Sequence, residues 1–253
     1  MIVREPALLR YLRQLGLQFL QAHHVRPLAL QPLPHLGRAG PDPVDIPGGD
    51  FHAWRARRIT FVAMPAERAY VPVMPPAAPL TAEELLARSI PDKRVELVRG
   101  VLIVREPAGY AHGRVAMNLA VRLATYVESA AAGQVFAAET GFTLARGPDT
   151  VRALDIAFVR RDRLPDPVTQ GFPDLAPDLV VEVLSPGDQP AEVLAKVADW
   201  LTAGTRLVWT VDLERRMARI YRHDGSETFV TAEGALDGED VLPGFSCPLV
   251  SIL

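Results

Sequence analysis

The chain has 253 residues, and 49% of them are hydrophobic, which is enough for one well-buried core with an appendage. Its single cysteine, Cys247, excludes an intramolecular disulfide and a cysteine-rich zinc site, and indicates a reducing compartment. No apolar run approaches the roughly 20 residues that span a bilayer. Composition therefore predicts a soluble, cytoplasmic protein with no membrane partner.

The net charge of −3 is unevenly distributed along the chain. Residues 1–79 contain nine arginines and five acids, whereas the remainder contains 18 basic and 25 acidic side chains, a balance of −7. A negative domain is a poor general binder of polyanions, because neutralised phosphates supply most non-specific affinity for nucleic acid. Any nucleic-acid cleft must be locally basic or shielded by a metal ion.

Residues 1–79 are predicted to be a Pro-rich N-terminal appendage that is poorly ordered. A basic amphipathic helix is predicted near residues 5–22, and two Pro-rich runs follow it. These runs leave too little periodic apolar surface for a separate core. Met64 and Met74 are alternative start positions within this segment.

From residue 80 the pattern becomes regular. Thr81 followed by Glu84 forms a capping box, which predicts a helix start. The segment VELVRGVLIVRE predicts a β-hairpin around Arg99 and Gly100. The helical spacing of apolar residues in AHGRVAMNLAVRLATYVESAAAG predicts a long helix that ends at Gly133.

The second half predicts alternating strands and one further helix. Strands are predicted at QVFAAET, LDIAFVR and DLVVEVLS, a helix at AEVLAKVADWLTA that stops at Gly204, and another strand at RLVWTVD. MARIYRH, ETFVT and PLVSIL complete a C-terminal β meander. Residues 80–253 are therefore predicted to form one mixed α/β domain, a mixed β-sheet flanked by helices.

Two carboxylates interrupt strands that otherwise read as buried. Glu182 lies in the middle of DLVVEVLS, and Asp155 lies in LDIAFV. An unpaired buried carboxylate costs several kcal/mol, so each must be paired, neutralised or bound to a metal. Two such acids on neighbouring strands could converge on Mg²⁺. Alternatively each is a structural carboxylate paired with arginine, for which Arg152 and Arg160 lie near Asp155.

Lys196 is one of only two lysines in the chain, beside 25 arginines. Helical geometry places it at the edge of the apolar stripe of its helix, from which an ammonium could reach the carboxylates. A compact cation of this kind is useful beside an attacking water. The alternative interpretation is a lysine that covers apolar surface with its aliphatic stem.

The order of these features along the chain is the basis of a resemblance to a known protein family. The motifs are RVELVRG at residues 94–100, His112 at a helix start, VRALD ending at Asp155, LVVEVLSP around Glu182, Lys196, and GTRLVWTVD at residues 204–212. Together they resemble the Uma-type restriction endonuclease family of the PD-(D/E)xK nuclease superfamily, over roughly residues 80–253. The resemblance implies a restriction-endonuclease-like core.

The resemblance also implies roles for individual residues. Asp155, Glu182 and the backbone carbonyl of Val183 would hold Mg²⁺, with Mn²⁺ as a substitute, and Lys196 would orient or polarise water and stabilise charge at the phosphate. Glu96 would complete the metal site or position the lysine. The superfamily's usual E-x-K lysine is absent, since Leu184 stands there, and Lys196 on the following helix would inherit its role.

His112 has two interpretations, a substrate-binding or acid role and a structural one. The chain also departs from the family pattern where Leu154 replaces a proline, Glu192 an aspartate and Trp200 a tyrosine. None of these changes removes an expected ligand.

The function that the resemblance implies is Mg²⁺-dependent endonucleolytic hydrolysis of DNA phosphodiester bonds by metal-activated water. DNA is the expected partner, and a homodimer is one expected assembly because two strands need two sites. The alternative is a catalytically inactive module of nuclease fold that binds nucleic acid or a protein.

Overall fold

The computed structural model describes residues 78–88 and 90–253. The Pro-rich segment of residues 1–77, with the helix predicted near residues 5–22, lies outside the described residues. Helix α1 (Ala82–Ala87) has the predicted capping box between Thr81 and Glu84. Helix α2 spans Tyr110–Ser129, and helix α3 spans Pro190–Ala203 and ends at Gly204, as predicted.

The described residues form strands in two larger sheets and one small ribbon. In chain order the strands are β1 (Arg94–Val98), β2 (Val101–Arg105), β3 (Gly133–Ala137), β4 (Gly141–Ala145), β5 (Thr150–Ala153), β6 (Ile156–Arg160), β7 (Leu179–Leu184), β8 (Leu207–Asp212), β9 (Met217–Arg222), β10 (Glu227–Val230), β11 (Ala235–Asp237) and β12 (Ser246–Pro248). Four strands are ordered β2-β1-β5-β4, six are ordered β10-β9-β8-β7-β6-β3, and β11 pairs with β12. The fold is thus the predicted mixed α/β class.

Strand β7 occupies the centre of the six-stranded sheet. It pairs antiparallel with β6 and parallel with β8, and α3 forms the crossover that a parallel pair requires. A strand covered on both faces needs a nearly continuous apolar sequence, which LVVEVL provides except at Glu182.

The two faces of this sheet support separate clusters of buried side chains. One cluster joins α2 to Val181 and Val183 of β7. The other joins α3 to Val180. Because side chains alternate along a strand, Glu182 shares the face of Val180 and lies under α3. This alternation brings the acid of β7 and the lysine of α3 to the same side of the sheet.

Two sequence predictions were wrong in detail, and two strands were not predicted. The long helix ends at Ser129 rather than at Gly133, and Ala131 takes the left-handed backbone with φ 49. Gly133 opens β3 instead, where an added Cβ would lie 2.1 Å from the carbonyl oxygen of Val159. Glycine is required there by close strand contact and not by a helix end.

The final segment, PLVSIL, was predicted as a strand, but Leu249–Ser251 form a 3-10 helix after β12. Strands β4 and β5 were not predicted, and with β1 and β2 they form the second sheet. In the part of the chain that the structure describes, no helix is both long and apolar enough to cross a membrane.

Candidate active site

The candidate site lies where the two larger sheets approach each other. Glu96 is the central residue of β1 in the four-stranded sheet, and Glu182 lies in β7 of the six-stranded sheet. Asp155 is the residue before β6, in the two-residue connection that joins β5 of one sheet to β6 of the other. Lys196 reaches the same place from α3.

Lys196 bridges the two sheets through its ammonium group. Its Nζ lies 2.9 Å from Oε2 of Glu182 and 3.1 Å from Oε1 of Glu96. Burial by itself would lower the pKa of Lys196, but the carboxylates of Glu182 and Glu96 raise it above its ordinary value. The side chain is therefore a fixed ammonium between two acids and does not merely cover apolar surface.

Glu182 is buried and hydrogen bonded through both of its oxygens. Oε2 accepts from Lys196, and Oε1 accepts from the indole nitrogen of Trp200 at 2.9 Å. Burial raises the pKa of Glu182 to about 7, the ammonium of Lys196 opposes the rise, and the negative charge of Asp155 adds to it. Glu182 and Asp155 therefore influence each other electrostatically, as acids that share a site do.

Asp155 is held by three donors from three elements. Its Oδ1 accepts from Nη2 of Arg94 at 3.1 Å, and its Oδ2 accepts from the amide of Val183 at 2.7 Å. Nε2 of His112 lies 3.1 Å from the same Oδ2. Burial would raise the pKa of Asp155, but the hydrogen bond and charge of His112, with Lys196 and the Val183 amide, hold it below its usual value.

These contacts revise the expected arginine partners of Asp155. Arg94, from β1, takes that position, whereas Arg152 pairs with Glu96 and Arg160 pairs with Asp162. His112 is buried against Asp155, so the structure supports an orienting contact. A direct contact of His112 with substrate stays a prediction.

Glu96 is the most strongly anchored acid of the group. Its Oε2 accepts from Nη1 of Arg152 at 2.9 Å, and its Oε1 accepts from the amide of Ala153 at 3.1 Å in addition to facing Lys196. Burial would raise the pKa of Glu96, but the positive charges of Lys196 and Arg152 lower it to about 2. Glu96 is therefore an anion throughout the range in which proteins normally act.

The Glu96→Gln variant should reveal this anchoring as a pH-dependent loss of stability. A depressed folded-state pKa stabilises the protein above the unfolded value of 4.5, and this contribution is lost as the pH falls towards 2. We expect the wild-type advantage over the variant to be constant from about pH 7 to 5 and to shrink by on the order of 3 kcal/mol at lower pH. Urea unfolding across this range measures it. A gap that does not depend on pH would contradict the assignment, and Glu106→Gln, at an exposed carboxylate, is the control.

A small cavity of about 50 Å³ opens beside Asp155 and Glu182. Its walls are formed by Arg94, Arg105, Asp155, Glu182, Val183, Leu184, Asp188, Glu192, Val193 and Lys196. This volume holds an ion with a few water molecules, since one water needs roughly 10–15 Å³ of such space. Both expected metal-binding acids and the expected lysine thus face one cavity.

The donor set of this cavity fits a hard divalent cation. A carboxylate offers about four lone-pair positions; three donors contact Asp155 and two contact Glu182, so each retains capacity for a cation. Within residues 78–88 and 90–253, no three His, Cys, Asp or Glu side chains are grouped as a metal-binding set. Mg²⁺ usually keeps several waters and needs only one or two carboxylates.

Sequence reasoning missed the cationic and indole partners of the acids. Arg94 lies two residues before Glu96 on the same strand, so the two share a face, and that spacing was the available signal. Trp200 was noted only as a departure from the family pattern, yet its N–H donates to Glu182. Asp199, beside it, accepts two hydrogen bonds from Arg152.

Comparison with known proteins bears on both the fold and the family. The fold matches a crystal structure from Anabaena variabilis ATCC 29413, described as a putative nuclease belonging to DUF820, with a TM-score of 0.59 and 20% sequence identity. The match covers 69% of this chain and 97% of the other. Among curated protein sequences, none matches.

The family model gives the more specific result. Residues 82–250 match the Uma2 family, which carries the description "Putative restriction endonuclease". The matched range contains every residue of the candidate site and well over half of the chain. The resemblance noted from the sequence motifs is confirmed: this chain belongs to the Uma2 family of restriction-endonuclease-type proteins.

Proposed function

We propose that this protein is a Mg²⁺-dependent endonuclease that hydrolyses DNA phosphodiester bonds, with Mn²⁺ as a substitute metal. The observation that carries the proposal is the meeting of Asp155, Glu182 and Lys196 at one small cavity. A structural ion-pair network could also bring acids and cations together. A cavity lined by two acids with free lone pairs is, however, a feature that hydrolysis needs and that stability does not.

In this proposal Asp155, Glu182 and the carbonyl of Val183 hold the metal, which would polarise the phosphate and lower the pKa of a bound water. The ammonium of Lys196, fixed at 2.9 Å from Glu182, stabilises negative charge that develops at the phosphate. Trp200 and His112 orient the two acids through their ring nitrogens. Glu96 holds the ammonium from the opposite side.

The cavity wall carries three basic side chains beside four acids, so a bound metal ion would supply the remaining positive charge that an acidic domain needs to receive phosphate. Arg94 and Arg105, from β1 and β2, line the cavity together with Lys196. Arg105 is partly exposed, and it pairs with Glu192 of α3 at 2.9 Å, a contact that phosphate would have to replace. Guanidinium groups bind phosphate in a bidentate manner, and these two arginines are therefore proposed to receive the DNA backbone.

Cleavage of supercoiled, linear and branched DNA, with Mg²⁺, with Mn²⁺ and with excess EDTA, tests the proposal. We expect nicking that requires the metal and that falls at least about 100-fold in Glu182→Gln, since that change removes one acidic ligand and its charge. Glu106→Gln is the matched control, because Glu106 is an exposed carboxylate paired with Lys93. Equal activity in wild type and Glu182→Gln would mean a contaminating nuclease or a wrong site.

Binding of the same DNA without cleavage under any metal condition would instead support the alternative of an inactive binding module. The net negative charge of the domain favours that alternative, and the intact group of acids and lysine favours the enzyme. The homodimer and the cytoplasmic location stay predictions.

A further inference from the structure

Arg152 is a buried guanidinium that the proposed reaction does not use directly. It lies in β5 and is only 5% exposed. Its Nη1 donates to Oε2 of Glu96 at 2.9 Å, while Nε and Nη2 donate to Oδ2 of Asp199 at 3.0 and 2.6 Å. It therefore joins an acid of β1 to an acid of α3, the helix that carries Lys196.

The contacts form a continuous chain of opposite charges. Asp199 lies three residues after Lys196 on α3, and Arg152 donates to Asp199 and to Glu96 at the same time. Glu96 in turn offers its other oxygen to Lys196 at 3.1 Å. The lysine is thus fixed twice by one arginine: through the acid that it contacts, and through the helix on which it stands.

The planar guanidinium suits this role for a geometric reason. Arg152 donates in two directions at once, whereas an ammonium is a point charge on a flexible stem and an amide carries no charge. Without the guanidinium, Oε2 of Glu96 would lose its donor inside the protein. The carboxylate would then be held only through Oε1, by the Ala153 amide and Lys196, so its aim at the ammonium would be less tightly fixed.

We propose that Arg152 is a positioning residue that fixes the ammonium of Lys196 through Glu96 and Asp199. The proposal concerns geometry that can be observed without catalysis. Its consequence for the reaction rests on the proposed nuclease function, since a displaced ammonium matters only if Lys196 acts on the phosphate.

The two lysines of the chain allow a direct test, because ¹³C-lysine labelling of the full-length protein gives one ε-methylene signal for Lys196 and one for Lys93. In the wild type we expect the two ε-protons of the buried Lys196 to differ in chemical shift, because its ammonium is fixed. In Arg152→Met and Arg152→Gln we expect these shifts to merge and the signal to sharpen, while the Lys93 signal stays in place. Arg152→Gln retains an amide donor for Glu96 and guards against failure of Arg152→Met to fold.

Arg99→Met is the matched control for this test. Arg99 also contacts Asp199, at 3.4 Å, but it is more exposed and does not contact Glu96. We expect the Lys196 signal of the Arg99→Met variant to match that of the wild type. A Lys196 signal that is unchanged in both folded Arg152 variants, or one that changes equally in Arg99→Met, would overturn the proposal.

The kinetic test separates this proposal from the proposed function. If the wild type cleaves DNA, kcat of Arg152→Gln should fall about 10- to 100-fold, the usual effect of removing a residue that orients a catalytic group. KM and Mg²⁺ affinity should stay near their wild-type values, whereas a general loss of structure would alter all three. Expected NMR changes with an inactive wild type would support the positioning role and reject the nuclease. Full kcat in a folded Arg152→Gln whose Lys196 signal is also unchanged would reject the positioning role alone.

Discussion

Replacement of Lys196 by glutamine is expected to lower DNA cleavage about 100- to 1,000-fold, the effect of removing one preorganised group that stabilises developing charge. The amide of glutamine can still donate to Glu96 or Glu182, so the variant retains one hydrogen bond in place of the lost ion pairs. Single-turnover cleavage at saturating Mg²⁺ measures the effect. Because the variant keeps the proposed metal ligands, Mg²⁺ affinity should change much less than the rate.

Lys93→Gln is the control for this experiment, and together the two variants cover every lysine of the chain. Lys93 is the only other lysine, and it pairs with Glu106 at the surface. Its replacement should leave cleavage within about twofold of the wild type, as expected for a surface pair that contributes little. If both variants lose activity equally, the effect is general and Lys196 has no special role.

Replacement of Asp155 by asparagine is expected to weaken Mg²⁺ binding at least about 10-fold, because a hard cation prefers a charged carboxylate to a neutral amide. The change should also disturb Arg94 and His112, which both contact this carboxylate. Calorimetric titration of Mg²⁺ into the protein without DNA measures the affinity independently of cleavage. Wild-type affinity in this variant would remove Asp155 from the ligand set.

Asp162→Asn supplies the comparison for that titration. Asp162 lies in the short 3-10 helix after β6, is exposed, and pairs with Arg160. It has the same charge as Asp155, but it is exposed, whereas Asp155 is buried. Mg²⁺ affinity that falls equally in both variants would indicate weak attraction to the surface as a whole and would argue against a defined site.

Much of the fold could be predicted from the sequence because the local signals were strong. The capping box at Thr81, the hairpin at Arg99 and Gly100, and the stop of α3 at Gly204 depend on neighbouring residues alone, and all three are confirmed. The buried acid of β7 could also be predicted, since a single charge within an apolar strand is conspicuous whatever lies beside it.

What could not be predicted depends on contacts between distant segments. Gly133 looked like a helix end, and only the approach of Val159 explains why glycine stands in β3. Arg152 was expected beside Asp155 because the two are near in sequence. In the structure β5 pairs with β1, and the Arg152 side chain contacts Glu96 of that strand. Strands β4 and β5 lack a clear alternating pattern, and so the second sheet went unnoticed.

The two-residue connection between β5 and β6 determines when the candidate site forms during folding. Glu96 belongs to one sheet, Glu182 to the other, and Asp155 to the link between them, so no single segment of the newly made chain carries the complete group. The cavity exists only after both sheets have formed and docked. A nascent or misfolded copy of this protein therefore lacks the assembled group, and the proposed hydrolysis requires the completed native state.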